Sequence, residues 1–238
     1  MRDVVGERFP ALADPIAAIR AGHILVDGFP IKNPDSRVAR DASVVYRPPQ
    51  PLAGEAKLRA ALAAFAPAIG DRIAADIGAA AGGFTRVLLD AGARKVYAVD
   101  AGHGQLLGSL RQDPRVVNLE ATNLGSLTLD LVPDPIDLVT IDVSYISLAA
   151  ALPQLESLRL AADATLIALV KPMFELGLDA PPPDDMLHLA LARAVNAIDA
   201  LAWCVTGAIR SPVTGHRGAK EFFVRATRAA KFEGTMTR

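Results

Sequence analysis

The chain has 238 residues, 51% of them hydrophobic, and a formal charge of −1 from 25 basic and 26 acidic side chains. That length buries a full core as one medium domain, with room for a smaller unit, and the near-zero charge argues weakly against a nucleic-acid partner. Its apolar runs, such as residues 161–170, are broken by Asp163 or closed by Lys171, well short of the roughly 20 residues of a spanning helix, and Arg2, Asp3, Glu7 and Arg8 stand where a signal peptide needs an apolar core, so a soluble, cytoplasmic protein is expected.

Residues 14–20 read as a short helix stopped by Ala21-Gly22, followed by a strand at 23–26 that closes on the turn Asp27-Gly28 and a second short strand at 43–46. Arg47-Pro48-Pro49-Gln50-Pro51 then puts three prolines in four positions, which neither a helix nor a central strand continues through. The expected division is a small α+β unit at 1–47, a linker at 48–56 and a main domain at 57–238. Apolar residues at helical spacing mark a helix at 55–65. From Arg72 onward strands (73–77, 95–99, 115–119, 136–141, 165–170, 203–209, 221–226) alternate with helices (83–91, 104–110, 148–158, 184–201). Such alternation predicts an α/β fold with a mostly parallel, seven-stranded sheet covered on both faces. Ligands in such sheets bind beyond the carboxyl ends of the strands, where Asp76, Asp100, Asp142 and Lys171 all fall.

Cys204, the single cysteine, lies in the apolar run Leu201-Ala202-Trp203-Cys204-Val205 and reads as a buried small hydrophobe. The four histidines are scattered without ligand spacing, so no metal site is expected. Charge is uneven: residues 48–206 carry eleven basic and eighteen acidic side chains, residues 207–238 seven and two. Arg210, Arg217, Lys220, Arg225, Arg228, Lys231 and Arg238 can contact phosphates, although a basic end is about as often merely solvated.

The most informative stretch is Ala75-Asp76-Ile77-Gly78-Ala79-Ala80-Ala81-Gly82-Gly83-Phe84-Thr85, with Val99-Asp100 one helix later. Gly78 and Gly82 let backbone approach a ligand, and the helix opening at Gly83 offers unpaired N–H groups. Asp100 stands where a carboxylate takes both hydroxyls of a ribose. A dinucleotide fingerprint wants glycine where Ala80 stands, so the layout fits the first motif of S-adenosylmethionine-dependent methyltransferases better, with a plain packing turn as the alternative. Asn123 can approach an adenine edge, but an asparagine after a strand is more often a turn residue bonding its own backbone.

Two near-continuous apolar strands end in charges, Ile141-Asp142 and Val170-Lys171. A carboxylate and an amine beside a cofactor cleft tune one another's protonation; equally, they can be an ion pair capping adjacent strands.

Together with Tyr97-Ala98-Val99-Asp100, Gly104-Gln105-Leu106, Leu110-Arg111-Gln112-Asp113-Pro114-Arg115-Val116, Ile141-Asp142-Val143-Ser144-Tyr145-Ile146-Ser147, Val170-Lys171-Pro172-Met173-Phe174-Glu175, Ser211-Pro212-Val213-Thr214-Gly215 and Glu221-Phe222, the glycine-rich turn resembles the TlyA family. These are ribosomal RNA 2′-O-methyltransferases, also called hemolysin A, with an FtsJ-like domain behind an S4 RNA-binding domain. The resemblance runs in consistent order over about residues 50–228. It implies a Rossmann-like methyltransferase fold with an S4-like N-terminal unit, S-adenosyl-L-methionine as cofactor, ribosomal RNA or ribosomal subunits as partner, and neither membrane nor metal. It also implies a Lys-Asp-Lys-Glu tetrad at Lys57, Asp142, Lys171 and Glu221. Lys171 would act as base or stabilise the developing alkoxide, Asp142 and Glu221 would orient it, and Lys57 would supply positive field or position the ribose. Cofactor contacts are expected at Asp76, Gly78, Gly82, Gly83, Phe84, Thr85, Asp100 and Asn123.

Three segments depart from the family pattern. The S4-like unit matches only over residues 18–28, its arginine-rich opening helix being reduced to residues 2–13. Leu52-Ala53-Gly54-Glu55 puts an acid beside the expected RNA path, where it is unfavourable near phosphates. Residues 176–185 are apolar and acidic where the family has glycine and lysine. The main rival reading is a non-catalytic, S4-like ribosome-associated assembly factor. A dinucleotide oxidoreductase is disfavoured by Ala80, and membrane lysis by alanine-rich core helices without a strongly amphipathic face.

Overall fold

A computed structural model describes residues 1–48 and 51–228, which divide between Pro51 and Leu52 into two units. In the first, α1 (Arg2–Arg8) and α2 (Pro15–Arg20) cover one face of a small antiparallel sheet of β1 (Ile24–Val26), β2 (Phe29–Ile31) and β3 (Val44–Tyr46), ordered β2-β1-β3. Asp14 caps α2 by accepting the Ala17 N–H at 2.9 Å, with Pro15 in the first turn, where its missing N–H costs nothing. Val5, Ala18, Ile19, Ile24 and Val44 form the core. Two of these elements lack a sequence signal: α1 shows only two apolar residues among charges, and β2 contains Pro30 and exposes Phe29.

In the second unit the chain runs α3 (Glu55–Phe65), β4 (Ile73–Ile77), α4 (Gly83–Asp90), β5 (Lys95–Val99), α5 (Gly108–Arg111), β6 (Val116–Leu119), β7 (Ile136–Ile141), α6 (Leu148–Ala151), β8 (Leu160–Val170), α7 (Pro172–Leu176), α8 (Leu187–Asp199), β9 (Trp203–Arg210) and β10 (Phe222–Arg228). The seven-stranded sheet is ordered β6-β5-β4-β7-β8-β10-β9, parallel from β6 to β8, with β10 antiparallel to both neighbours. Successive strands are added to one side from β4 to β6 and to the other from β7 to β8, and this switch between β4 and β7 opens a crevice at their carboxyl ends. Alternate residues of β4 serve opposite cores: Ile73, Ala75 and Ile77 face the layer holding α6 and α8, while Ala74 faces α3 and α4.

The expected helix at 104–110 shrinks to Gly108–Arg111, because the preceding segment is tied to Glu120 through the Gln105 and Leu106 N–H groups. The expected helix at 148–158 is α-helical only to Ala151, after which Pro153 enters a 3-10 helix, Leu152–Ser157. Cys204 is exposed, correcting the expectation of burial: β9 is an edge strand whose residues alternate sides, so Trp203 points inward and Cys204 outward. Pro49, Gln50, Lys231 and Arg238 lie outside the described residues.

Candidate active site

The site begins where β4 ends. Ile77 pairs with Ile141 in the sheet, so Gly78 leaves its strand beside Asp142, whose N–H donates to the Ile77 carbonyl at 2.8 Å. Gly78 has φ +85, and a Cβ there would stand 2.3 Å from the Asp142 carbonyl oxygen, a backbone atom that cannot step aside. Gly83 opens α4, and a Cβ there would meet the Ala53 carbonyl oxygen at 1.9 Å, so residues 52–55 pack hard against the turn. Asp100 organises the turn from β5: Oδ2 accepts the Ala80 N–H at 2.8 Å and Oδ1 the Gly102 N–H at 2.6 Å. Ala80 takes the left-handed conformation, φ +46, at the position where a dinucleotide turn would hold glycine.

Over this turn lies a cavity of about 320 Å³ lined by Gly78, Ala80, Asp100, Gly102, Gln105, Thr122, Asp142, Ser144 and Tyr145, among others. Glu120 holds the segment carrying Gly102 and Gln105: Oε1 accepts the Gln105 N–H at 2.5 Å and the Leu106 N–H at 2.9 Å, while Oε2 lies 2.7 Å from Arg111. Those bonds, the Leu106 N–H first, pull the Glu120 carboxyl down to about 2, so its charge persists across the physiological range. Glu120→Ala is expected to loosen that wall and weaken cofactor binding about tenfold, read by calorimetric titration; unchanged affinity would mean the segment holds itself.

The expected cofactor residues do not all reach this cavity. Gly78 and Asp100 line it, and Gly78, Gly83 and Phe84 border an adjoining one of about 420 Å³. Gly82 instead faces Leu106 and Leu110. Asp76 and Thr85 are fully buried beneath the turn, where the Asp76 carboxylate accepts the Thr85 hydroxyl at 2.7 Å and the Thr140 hydroxyl at 2.9 Å. They are placed to brace the turn rather than to touch a ligand. Asn123 is exposed outside the cavity; its backbone carbonyl accepts the Ser126 N–H, and its side chain caps no backbone group there.

Burial pushes the Asp76 carboxyl up to about 6, although both hydroxyls favour its charged form. The folded value is raised, so the associated stability is present in full below about pH 4 and is lost as pH rises through 6, up to about 3 kcal/mol. Asp76→Asn is expected to flatten that decline in urea midpoints between pH 4 and 7.5; an equally steep decline would assign it to other groups.

The four charged residues meet beside the turn. Phe222 pairs antiparallel with Val170, so Glu221 precedes β10 just where Lys171 follows β8. Lys57, one turn into α3, lies 2.6 Å from Glu221 Oε2, and Lys171 Nζ lies 2.5 Å from Asp142 Oδ1, all four side chains being at least 79% buried. Lys57, Lys171 and Glu221 line a third cavity of about 270 Å³, walled by Pro172, Met173 and Phe174. One expectation is revised: Glu221 faces Lys57, not Lys171. Lys171 is instead held by Asp142 and by Ser144, whose Oγ accepts from Nζ at 2.5 Å. Buried Asp142 Oδ1 faces the ammonium without an aligned hydrogen bond.

Ser144, Tyr145, Gln105 and His216 line these cavities without having been assigned a role from sequence. The signal was position: Ser144 and Tyr145 lie two and three residues after the strand-end Asp142. Glu55 also differs from expectation. It is buried at the foot of α3, accepting the Leu52 N–H at 2.9 Å and pairing with Arg86 at 2.7 Å, so its charge is spent inside the fold. The acidic segment 176–185 is tied down through Asp184, which pairs with Lys220 next to Glu221. Arg225 and Arg228 donate to the carbonyls of Phe65 and Leu160, so part of the basic C-terminal stretch serves packing. Among the described residues no group of three potential metal ligands occurs, and no helix is long and apolar enough to cross a membrane.

A family model described as FtsJ-like methyltransferase matches residues 54–228. The 16S/23S rRNA (cytidine-2′-O)-methyltransferase TlyA of Mycobacterium tuberculosis is 41% identical over 216 residues, covering 87% of this chain and 80% of that protein. The crystal structure of a protein from Lactococcus lactis, provisionally assigned as a hemolysin, superposes with a TM-score of 0.70 at 35% identity, covering 75% of this chain and 88% of that one. An S-adenosylmethionine-dependent methyltransferase from Mesorhizobium loti shares the fold at a TM-score of 0.54 and 16% identity, covering 74% of this chain and 99% of that one.

Proposed function

The chain belongs to the FtsJ-like methyltransferase family, and from that premise we propose that it is an S-adenosylmethionine-dependent enzyme methylating a ribose 2′-hydroxyl of ribosomal RNA. The observation that carries the reading is the pair of buried lysine–carboxylate contacts, Lys171–Asp142 and Lys57–Glu221: Lys57, Lys171 and Glu221 line the cavity walled by Met173 and Phe174, and Asp142 lines the cavity over the glycine-rich turn. A fold kept only for binding has no use for two such pairs, since buried ion pairs stabilise little and are costly when incomplete.

The residues present fit the cofactor. Asp100 and Gln105 line the cavity where a ribose and a base edge would be held, and Gly78 leaves room for the ligand against the β4 terminus. The bound cofactor would supply an electrophilic methyl on sulfur. A ribose hydroxyl is a poor nucleophile and must lose its proton as it attacks, so a group must receive that proton or offset the alkoxide charge. Lys171 is placed for this, with Asp142 fixing its ammonium, while Lys57, held by Glu221, adds a second positive charge at the same wall. Met173 and Phe174 supply the apolar side of the acceptor cavity and keep water from competing for the methyl. We assign RNA docking to the first unit, read as a shortened S4-like module, together with exposed Arg210 and Arg217.

The test is transfer of tritiated methyl from S-adenosylmethionine to purified ribosomal subunits, followed by mapping of 2′-O-methylation. Label at a discrete ribose supports the proposal. Tight cofactor binding without label in either subunit or in naked ribosomal RNA would reject it.

A further inference from the structure

Among the residues lining the 320 Å³ cavity over the glycine-rich turn and the 270 Å³ cavity walled by Met173 and Phe174, Ser144 is common to both. Its Oγ accepts from Lys171 Nζ at 2.5 Å, on the same ammonium that faces Asp142 at 2.5 Å. A hydroxyl that accepts one bond still has a proton to give, and among the described residues no group takes it. Ser144 is also exposed, unlike Lys171 and Asp142, whose side chains are 14% and 21% exposed. Ser144 therefore connects a nearly enclosed amine to solvent, at the boundary between the two cavities.

We propose that Ser144 is a positioning residue for methyl transfer, fixing the Lys171 amine at the junction of the donor and acceptor cavities and giving its proton a route out. This rests on the function proposed above. Before transfer the Lys171 ammonium gives a proton to Ser144 Oγ as the serine hydroxyl gives its own to water, leaving the amine. As the ribose oxygen would bond to the methyl carbon and the carbon–sulfur bond would break with its electron pair going to sulfur, the hydroxyl proton passes to that amine and restores the ammonium. Asp100, Asp142, Tyr145, Lys57, Glu221 and His216 are the other charged or titratable groups bordering these cavities, and among the described residues Ser144 is the one whose hydroxyl bonds Lys171. The serine does what a packing residue cannot: a Cβ alone would fill the same space without holding Nζ or carrying a proton.

The experiment compares Ser144→Ala and Ser144→Thr with the wild type. Ser144→Ala is expected to lower kcat about 10- to 100-fold, with KM for RNA and cofactor Kd within about threefold, and Ser144→Thr to recover most of the loss because it restores the hydroxyl. A kcat unchanged in Ser144→Ala, or a Ser144→Thr variant that folds and is as slow as alanine, would overturn the proposal. A second readout needs no substrate: in ¹H–¹⁵N spectra of the resting protein the Lys171 ammonium protons should be slowed in solvent exchange in the wild type and faster in Ser144→Ala. Equal exchange in both would overturn the positioning role even if methyl transfer is found. A wild type with slowed exchange but no transfer to any RNA would instead reject the functional reading and leave the serine–lysine contact standing.

Discussion

Replacing Lys171 with alanine is expected to lower methyl transfer by about 10²–10⁴-fold while cofactor affinity stays within about threefold. The ammonium lies at the end of β8, 2.5 Å from Asp142, in the wall of the acceptor cavity and not among the residues lining the cavity over the turn. Its removal leaves Asp100, Gln105 and the Gly78 turn intact, so donor binding persists and only the fate of the hydroxyl proton changes. Asp142 would be left largely buried without its partner, so a loss of stability accompanies the change, and Lys171→Met, which keeps the apolar stem, separates folding from chemistry. Single-turnover transfer alongside cofactor titration is the measurement. Full turnover in a folded Lys171→Ala protein would remove the lysine from the mechanism.

Gly78→Ala is expected to eliminate measurable cofactor binding and to cost about 2–5 kcal/mol of stability. Two effects coincide. The residue has φ +85, which a Cβ disfavours, and the added carbon would sit 2.3 Å from the Asp142 carbonyl oxygen and 2.8 Å from its carbonyl carbon. Relief requires β4 and β7 to separate at their ends, which moves Asp142 away from Lys171 and opens the floor beneath the cofactor. Urea denaturation and cofactor titration report the two losses separately. Alanine at Gly104, whose φ is +73 but whose Cβ would meet nothing within 4 Å, isolates the conformational part. Equal damage at both positions would show that close packing at Gly78 adds nothing.

The parallel strands were legible because they are largely buried and read as near-continuous apolar runs: Ile73–Ile77, Lys95–Val99 and Ile136–Ile141 stand where they were expected. Strand ends were legible for the same reason, since Asp142 and Lys171 mark the point at which burial stops. What was not legible depends on register between distant strands. Glu221 as the partner of Lys57 follows from Phe222 lying opposite Val170, a pairing with no local signature. Ser144 looked like any serine after a strand until Lys171 was placed beside it. Glu55 shows the converse, for its charge suggested an acid beside the RNA path whereas Arg86 and the Leu52 N–H hold it in the interior. Cys204 was misjudged because hydropathy does not distinguish an edge strand from a central one.

The antiparallel run of β10 has an outcome for how the molecule is made. A ribosome delivers Lys57 early, yet its carboxylate partner stands 164 positions later, on the hairpin that closes the sheet. The nascent chain can form the glycine-rich turn and its surrounding helices long before the second ion pair exists, so acceptor-side competence arrives only with the last hairpin. Phe223, Val224 and Ala226 of that hairpin also fill the two cores, so a chain released before it emerges would lack both the second ion pair and part of the packing beneath the sheet.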